Sequence, residues 1–217
     1  MEKKYKLTEE TINVNGKTLY RIKSLKDFGN VKKGDKGGFI EKECNLSQSG
    51  DCWVYHNAKV YNNAKVFDYA DIYGNTEIFG NAIVSGKARV YGNAKVYHYA
   101  MVYDDAEVCD NAIISGNAEV YHDAAVYGNA RVFGNAEICG KAEIANDLDY
   151  IVFKNWWSSG RYFTWTRSNN MWKVGCFYGT SNELIEKAYR DSNESGKEYE
   201  RVVKYVESML KDNNAIA

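Results

Sequence analysis

The chain has 217 residues, 28 basic and 29 acidic, and a formal net charge of −1. That balance excludes a global pull toward nucleic acid or anionic lipid. Five cysteines with no C-x-x-C spacing argue against a zinc ribbon or a disulfide framework and favour a reducing compartment. No stretch reaches the roughly 18 apolar residues of a membrane span, and no apolar run follows the lysines of the opening MEKKYKLTEETINVNG. A cytoplasmic protein is expected. Proline is absent, which suits strand ladders that need every N–H.

The first predicted element is a hairpin. In TINVNGKTLYRI, Asn15-Gly16 separates two alternating runs, Thr11 to Val14 and Thr18 to Ile22. A glycine-rich passage, VKKGDKGGFIEKECNLSQSGDCWVYHNA, leads from it into a repeat.

Residues 54 to 143 divide into fifteen hexads without insertion or deletion, from VYHNAK at Val54 to ICGKAE at Ile138. The fifth letter is alanine fourteen times and threonine once, at Thr76. So short and regular a period marks a solenoid whose units pack only on their neighbours. Alternation in A-x-V-Y places alanine and the aliphatic letter inside, and the charged and aromatic letters outside. Letter three is drawn from Gly, Asn, Asp and His, the residues that tolerate positive φ, so it is read as a corner.

A second period fixes the winding. The fourth letter taken every eighteen residues gives Asn57, Asn75, Asn93, Asn111 and Asn129. The next corner gives Asn63, Asn81, Tyr99, Asn117 and Asn135, and the third gives Tyr69, Lys87, Asp105, Asp123 and Lys141. Three hexads per coil explain why one corner lacks asparagine. The prediction is a triangular parallel β-helix of about five coils, roughly 25 Å long at a strand spacing of ~4.8 Å, with asparagines bonding along two corners.

These hexads resemble the hexapeptide repeat of left-handed β-helix proteins, the architecture of trimeric acyltransferases. That resemblance implies the left hand and a trimer. The passage G-G-F-I-E…N-L-S-Q-S-G-D-C-W-V-Y also resembles the N-terminal region of uncharacterised bacterial and phage hexapeptide-repeat proteins, where a cap is expected over the open strand edges.

Downstream, the repeat stops at Ile144. DYIVFK, RYFTWTR and MWKVGCFYG read as three strands, parted by turns at Ser158-Ser159-Gly160 and Ser168-Asn169-Asn170. Thr180-x-x-Glu183 is a capping box opening a helix to about Tyr189, and a second helix is predicted from about Lys197 to Leu210. Its apolar face carries Tyr199, Val202, Val203, Val206, Met209 and Leu210. This segment too is similar to the C-terminal part of phage-encoded repeat proteins, through DYI…GCFYGT…E. The chain is thus read as mainly β, in three parts. Residues 1–47 form a β-hairpin cap, 48–148 the left-handed β-helix, and 149–217 a small α+β domain of three strands and two helices.

Hexapeptide acyltransferases use a histidine as general base, and His56, His98 and His122 are the three here. Each occupies letter three, on a different corner, so each is read first as a corner residue. No excursion loop interrupts the repeat to build an acceptor site, and separated histidines give no metal cluster. Catalytic residues, metal and cofactor are therefore not expected.

Two other features remain as candidate sites. Trp156, Trp157, Arg161, Tyr162, Trp165, Arg167 and Trp172 combine rings that stack on a base with arginines that hold a phosphate; the alternative is that the tryptophans are core. Outside the solenoid, aromatic letters form ladders that stabilise sheets by roughly 0.2–1 kcal/mol per pair. The wall of Phe67, Ile83, Met101, Tyr103 and Tyr121 is read as the interface of a homo-oligomer, by resemblance a trimer. On the last helix, Lys197, Arg201, Lys204 and Lys211 alternate with Glu198, Glu200 and Glu207, which reads as a solvated face.

The expected function is that of a non-catalytic binding protein. By analogy with phage proteins it acts in the host cytoplasm, blocking a host defence factor or sequestering a nucleotide-type signal. The alternatives are an acyltransferase using His98 or His122, and a purely structural module.

Overall fold

The computed structural model describes residues 3–157 and 159–214. The hexad letters take the places their chemistry demands. Valine or isoleucine at letter one and alanine at letter five are buried from Val54 to Ile144 and form one continuous apolar core. A side chain larger than alanine fits poorly where the chain bends, and the lone exception, Thr76, spends its hydroxyl on the carbonyl of Tyr73 at 2.7 Å. Each hexad contributes a two-residue strand, giving sixteen such strands (β4–β19) from Trp53–Val54 to Glu143–Ile144. Letter three turns the corner with φ near 60°, as at His56 (52°), Asn62 (60°), Asp68 (59°) and His98 (61°). The letter-five N–H then closes the turn on the letter-two carbonyl, for example Ala58 on Tyr55 at 3.0 Å.

Strands eighteen residues apart pair in parallel, so that Val90 lies between Ile72 and Val108. The result is a three-sided solenoid of about six coils. Fifteen hexads account for five of these. The sixth is partial at both ends: β3 (Lys36–Ile40) pairs with Lys59–Val60, Leu46 bridges Val66, and Glu143–Ile144 closes the other end. The upstream coil is irregular, because Phe39 meets Lys59 and Leu46 meets Val66 at offsets of twenty residues, two more than the repeat. Parallel stacking therefore reaches upstream of Gly50, where the hexad phase becomes legible.

The hairpin of β1 (Tyr5–Val14) and β2 (Lys17–Ser24) turns at Asn15-Gly16, both at positive φ, and adds antiparallel to β3. Leu19 packs there on Phe39 and Tyr61. At the other end β20 (Tyr150–Lys154), β21 (Tyr162–Thr166), β22 (Met171–Val174) and β23 (Phe177–Gly179) form one antiparallel sheet. Four strands replace the expected three because Gly175, at φ 55°, folds the third run back on itself. Ser158, part of the turn expected at Ser158–Gly160, lies outside the described residues, as do residues 1, 2 and 215–217 of the terminal segments. Helices α1 (Ser181–Asp191) and α2 (Asn193–Asn214) cover the sheet, α1 opening on the capping box of Thr180 and Glu183. Tyr199, Val202, Val203, Val206, Met209 and Leu210 all face this second core.

One constraint decides what each end needs. The N–H groups of letters two, four and six donate to carbonyls of the following coil, as in Tyr55 to Ile72 (2.7 Å), Asn57 to Gly74 (3.2 Å) and Lys59 to Thr76 (2.9 Å). On these letters the first coil is left chiefly with carbonyls and the last chiefly with N–H donors, and buried groups of either kind must be paired. The N-terminal cap supplies donors. Asn45 Nδ2 reaches the carbonyls of Asn62 and Ala64, and Lys4 Nζ, 1% exposed, reaches those of Gly50 and Cys52 at 3.1 and 3.0 Å. The C-terminal segment supplies acceptors. Asp147 Oδ1 takes the N–H of Arg131 (2.8 Å), Thr164 Oγ1 that of Glu137 (3.0 Å) and Ser168 Oγ that of Glu143 (2.7 Å).

The stacking makes a prediction at two corner glycines of similar φ. Gly134 (+72°) has nothing within 4 Å of an added Cβ, whereas at Gly86 (+64°) the Cβ meets Asp104 N at 2.6 Å. Gly134→Ala should cost only the left-handed backbone penalty, roughly 1–2 kcal/mol. Gly86→Ala should cost a further 1–3 kcal/mol, roughly, for overpacking against backbone. Equal denaturant midpoints for the two variants would contradict the coil register.

Candidate functional site

With the interior closed, chemistry is confined to three walls, three corners and the ends. On the first wall Tyr55 and Tyr73 stack with centroids 4.4 Å apart, and on the second Tyr61, Phe79 and Tyr97 stack at 5.1 and 4.8 Å. Acidic letters pin the rings by their hydroxyls: Tyr73 donates to Asp71 at 2.7 Å and Tyr103 to Glu119 at 2.8 Å. Burial first, and then the neighbouring carboxylates, push the phenols of Tyr61 and Tyr73 up to about 12. Charged letters pair along the first two walls, Lys59 with Glu77 at 3.1 Å and Arg89 with Glu107. On the third wall Ile83 sits in register between Lys65 and Met101, and Tyr103 stacks on Tyr121 at 4.8 Å. Phe67 and Tyr103 are half-buried, but Tyr121 is 7% exposed because Lys173 lies over its ring.

Two corners are amide columns. Asn75 donates to Asn93, Asn93 to Asn111 and Asn111 to Asn129 at 3.2–3.3 Å, as do Asn63 to Asn81 and Asn117 to Asn135. The third corner is a shallow groove of about 460 Å³ that includes Asp68, Lys87, Asp104, Asp105, His122 and Asp123. Here His122 Nε2 lies 3.7 Å from Asp104 Oδ2, and Asp68 Oδ2 accepts the N–H of Gly86 at 3.2 Å. All three histidines hold positive φ, as expected of corner residues. Among the described residues no group of three or more His, Cys, Asp or Glu is placed to hold a metal ion.

The deepest chemical contrast is at the seam between the last coil and the C-terminal sheet. Tyr150 and Val152 on β20 turn toward the solenoid core, while Ile151 and Phe153 turn toward the helices. The Tyr150 hydroxyl donates to the carbonyl of Arg131 at 2.9 Å and accepts the N–H of Phe133 at 3.4 Å. Beside it a cleft of about 430 Å³ is lined by Arg131, Phe133, Asn135, Asp147, Tyr150 and Tyr162, among others. Phe133 is the last ring of its ladder and, with no coil above it, is 56% exposed. Arg131 gives Nε and Nη2 to Asp147, an ion pair that holds the Asp147 carboxyl below its ordinary range. Its Nη1 donates to nothing among the described residues.

The Trp/Arg cluster is dispersed. Trp165 and Trp172 are buried in the second core, with their indole N–H groups on Asn170 and Ser181. Trp157 packs half-buried on Phe163 and Tyr199. Trp156 stands 85% exposed at the end of the hairpin, Arg161 approaches Gly175, and Arg167 is exposed. Only Tyr162 of this set lines the seam cleft. The opposite face of β21 is covered too: Thr164 and Thr166 are buried at 2% and 4% exposure. On α2, Arg201 pairs with Glu198 and Lys204 with Glu200 at 2.6 Å, the pairing a solvated face makes. Among the described residues no helix is long and apolar enough to cross a membrane.

Sequence reasoning passed over Arg131, Phe133, Asn135, Asp147 and Tyr150. Their signal was positional: Phe133 ends a ladder, and the run Asn146-Asp147-Leu148-Asp149-Tyr150 packs hydrogen-bond acceptors directly after the repeat breaks.

One comparison with known proteins bears on the repeat. The YdcK beta solenoid repeat family matches residues 88–104, a stretch shorter than one coil. None of the curated proteins matches the chain.

The raised phenols give a pH dependence. Above the ordinary tyrosine value of 10 the unfolded chain releases protons that Tyr61 and Tyr73 keep in the folded state. Their stabilisation is whole below pH 10 and is lost as pH rises toward about 12. Thermal midpoints should fall across that window in step with tyrosinate absorbance; a flat profile there would contradict the buried ladder.

Proposed function

We propose that the protein is a non-catalytic binding scaffold of the cytoplasm, and that its ligand is planar and nucleotide-like. The seam cleft carries this reading. It offers the exposed face of Phe133 and the ring of Tyr162 for stacking, the Asn135 side chain for a base edge, and the unused Nη1 of Arg131 for a phosphate oxygen. Base–aromatic stacking contributes roughly 1–3 kcal/mol per base, and an arginine held by a carboxylate on one side presents its remaining donors in a fixed plane. Both modules build the cleft, so a ligand there would also lock them together. The resemblance to hexapeptide-repeat proteins of bacteria and phages supplies an analogy, in which such a ligand is a host defence signal withdrawn from its receptor.

Calorimetric titration of the full chain with mononucleotides, dinucleotides and cyclic nucleotides tests this. One class should bind saturably, and Phe133→Ala should weaken it by about tenfold or more while leaving the melting curve unchanged. No binding by any class, or affinity indifferent to Phe133→Ala and Arg131→Ala, would remove the proposal. A second reading, acyl transfer, draws on the approach of His122 to Asp104 in the third-corner groove. Acetyl-CoA turnover abolished by His122→Ala would establish it in place of the first.

A further inference from the structure

The third wall differs from the other two in how its charges are disposed. Its sixth-letter column reads Lys65, Ile83, Met101, Glu119, Glu137, each in register with the next, and the last is paired with Lys173 of the C-terminal sheet. On the first and second walls, basic and acidic letters one coil apart pair within the chain. Lys65 and Glu119 stand three coils apart, about 14 Å at the strand spacing of a sheet, and do not reach each other. Among the described residues the Lys65 ammonium makes no hydrogen bond or ion pair, and the Glu119 carboxylate receives only the hydroxyl of Tyr103. The neighbouring second-letter column sets a small residue, Ser85, one coil from a large one, Tyr103. The hairpin covers the second wall, and the C-terminal segment covers the third only from Tyr121 onward.

We infer that this wall docks a second copy of the same chain, with the two solenoids antiparallel about a two-fold axis passing between Ile83 and Met101. Reversal about that axis sets Lys65 opposite Glu119 of the second copy, twice. It sets Ile83 opposite Met101 and lays the Tyr103 ring into the space above Ser85. The pattern of basic, apolar, apolar and acidic rows is its own complement only when read backwards, the self-complementarity an isologous interface requires. A parallel pairing of the same wall would set Lys65 against Lys65 and Glu119 against Glu119, which costs rather than contributes. The patch is four rows high, and the pair is expected to form as concentration rises. The inference stands independently of the seam cleft, which it leaves open.

Sedimentation velocity on the full chain over a concentration series is the test. The wild type should pass from monomer to dimer, and added salt should weaken the dimer. Lys65→Glu and Glu119→Lys alone should each raise the dissociation constant about tenfold or more, and the double reversal should restore it. Both positions point outward, so melting curves should match the wild type; should one variant fold poorly, the salt series and the other single reversal still decide. A monomer at every concentration, a trimer, or a double reversal no tighter than the singles would overturn the proposal.

Discussion

The structure depends on a hydrogen-bond ladder with a direction. Through the first four coils every hexad sends the N–H groups of letters two and six, and most send that of letter four, into the next coil, so the stack resembles a helix in having one end rich in carbonyls and one rich in donors. Buried, each unpaired group would cost about 1–3 kcal/mol, and an uncovered end would also be a template for another chain. The two caps therefore differ in balance rather than in kind, since Glu41 also accepts the Asn62 N–H at the first end and Tyr150 also donates to the Arg131 carbonyl at the last. Lys4 and Asn45 bring donors to the first coil. Asp147, Tyr150, Thr164 and Ser168 bring oxygen acceptors to the last. Lys4 shows how strongly the first end attracts donors: burial lowers its affinity for a proton, yet three backbone carbonyls surround its nitrogen.

A core of Val, Ile and Ala repeated coil after coil fills the interior with apolar side chains, and its monotony is what makes the stack regular. Function is displaced to places where the repeat ends or its outward letters break pattern. At the seam, the last coil leaves Phe133 uncovered and the cap brings Tyr150 and Tyr162 beside it. On the third wall, two apolar letters replace charged ones and strand Lys65 and Glu119 apart. Both departures sit on backbone fixed by the ladder, which makes them rigid surfaces of the kind recognition favours.

The solenoid was legible because its physics is local. Alanine fits at letter five, a positive-φ residue at letter three, and an eighteen-residue column of asparagines announces three sides; each appears as expected in Ala94, Gly92 and Asn93. The first coil was not legible, since two extra residues shift Phe39 and Leu46 out of the eighteen-residue register while leaving them in the stack. The C-terminal strands could be read by alternation, but not the fold-back at Gly175, which depends on a single φ. The Trp/Arg cluster shows the limit of composition. Phe163 and Trp165 alternate with Thr164 on one strand, and tertiary packing sends the rings to the helices and the hydroxyl to the solenoid. The seam cleft draws on residues 131–162, where the repeat gives way to the C-terminal strands and no single periodicity signals it.

The most direct test of the directed ladder is amide hydrogen exchange in the wild type and in Thr164→Val, which removes one buried acceptor without changing side-chain shape. The Glu137 amide, held by Thr164 Oγ1 at 3.0 Å, should lose protection, while the Glu119 amide one coil earlier, held by the carbonyl of Ala136 at 2.9 Å, should keep it. Unchanged exchange at Glu137, or equal loss at both amides, would mean that the last coil does not depend on acceptors supplied by its cap.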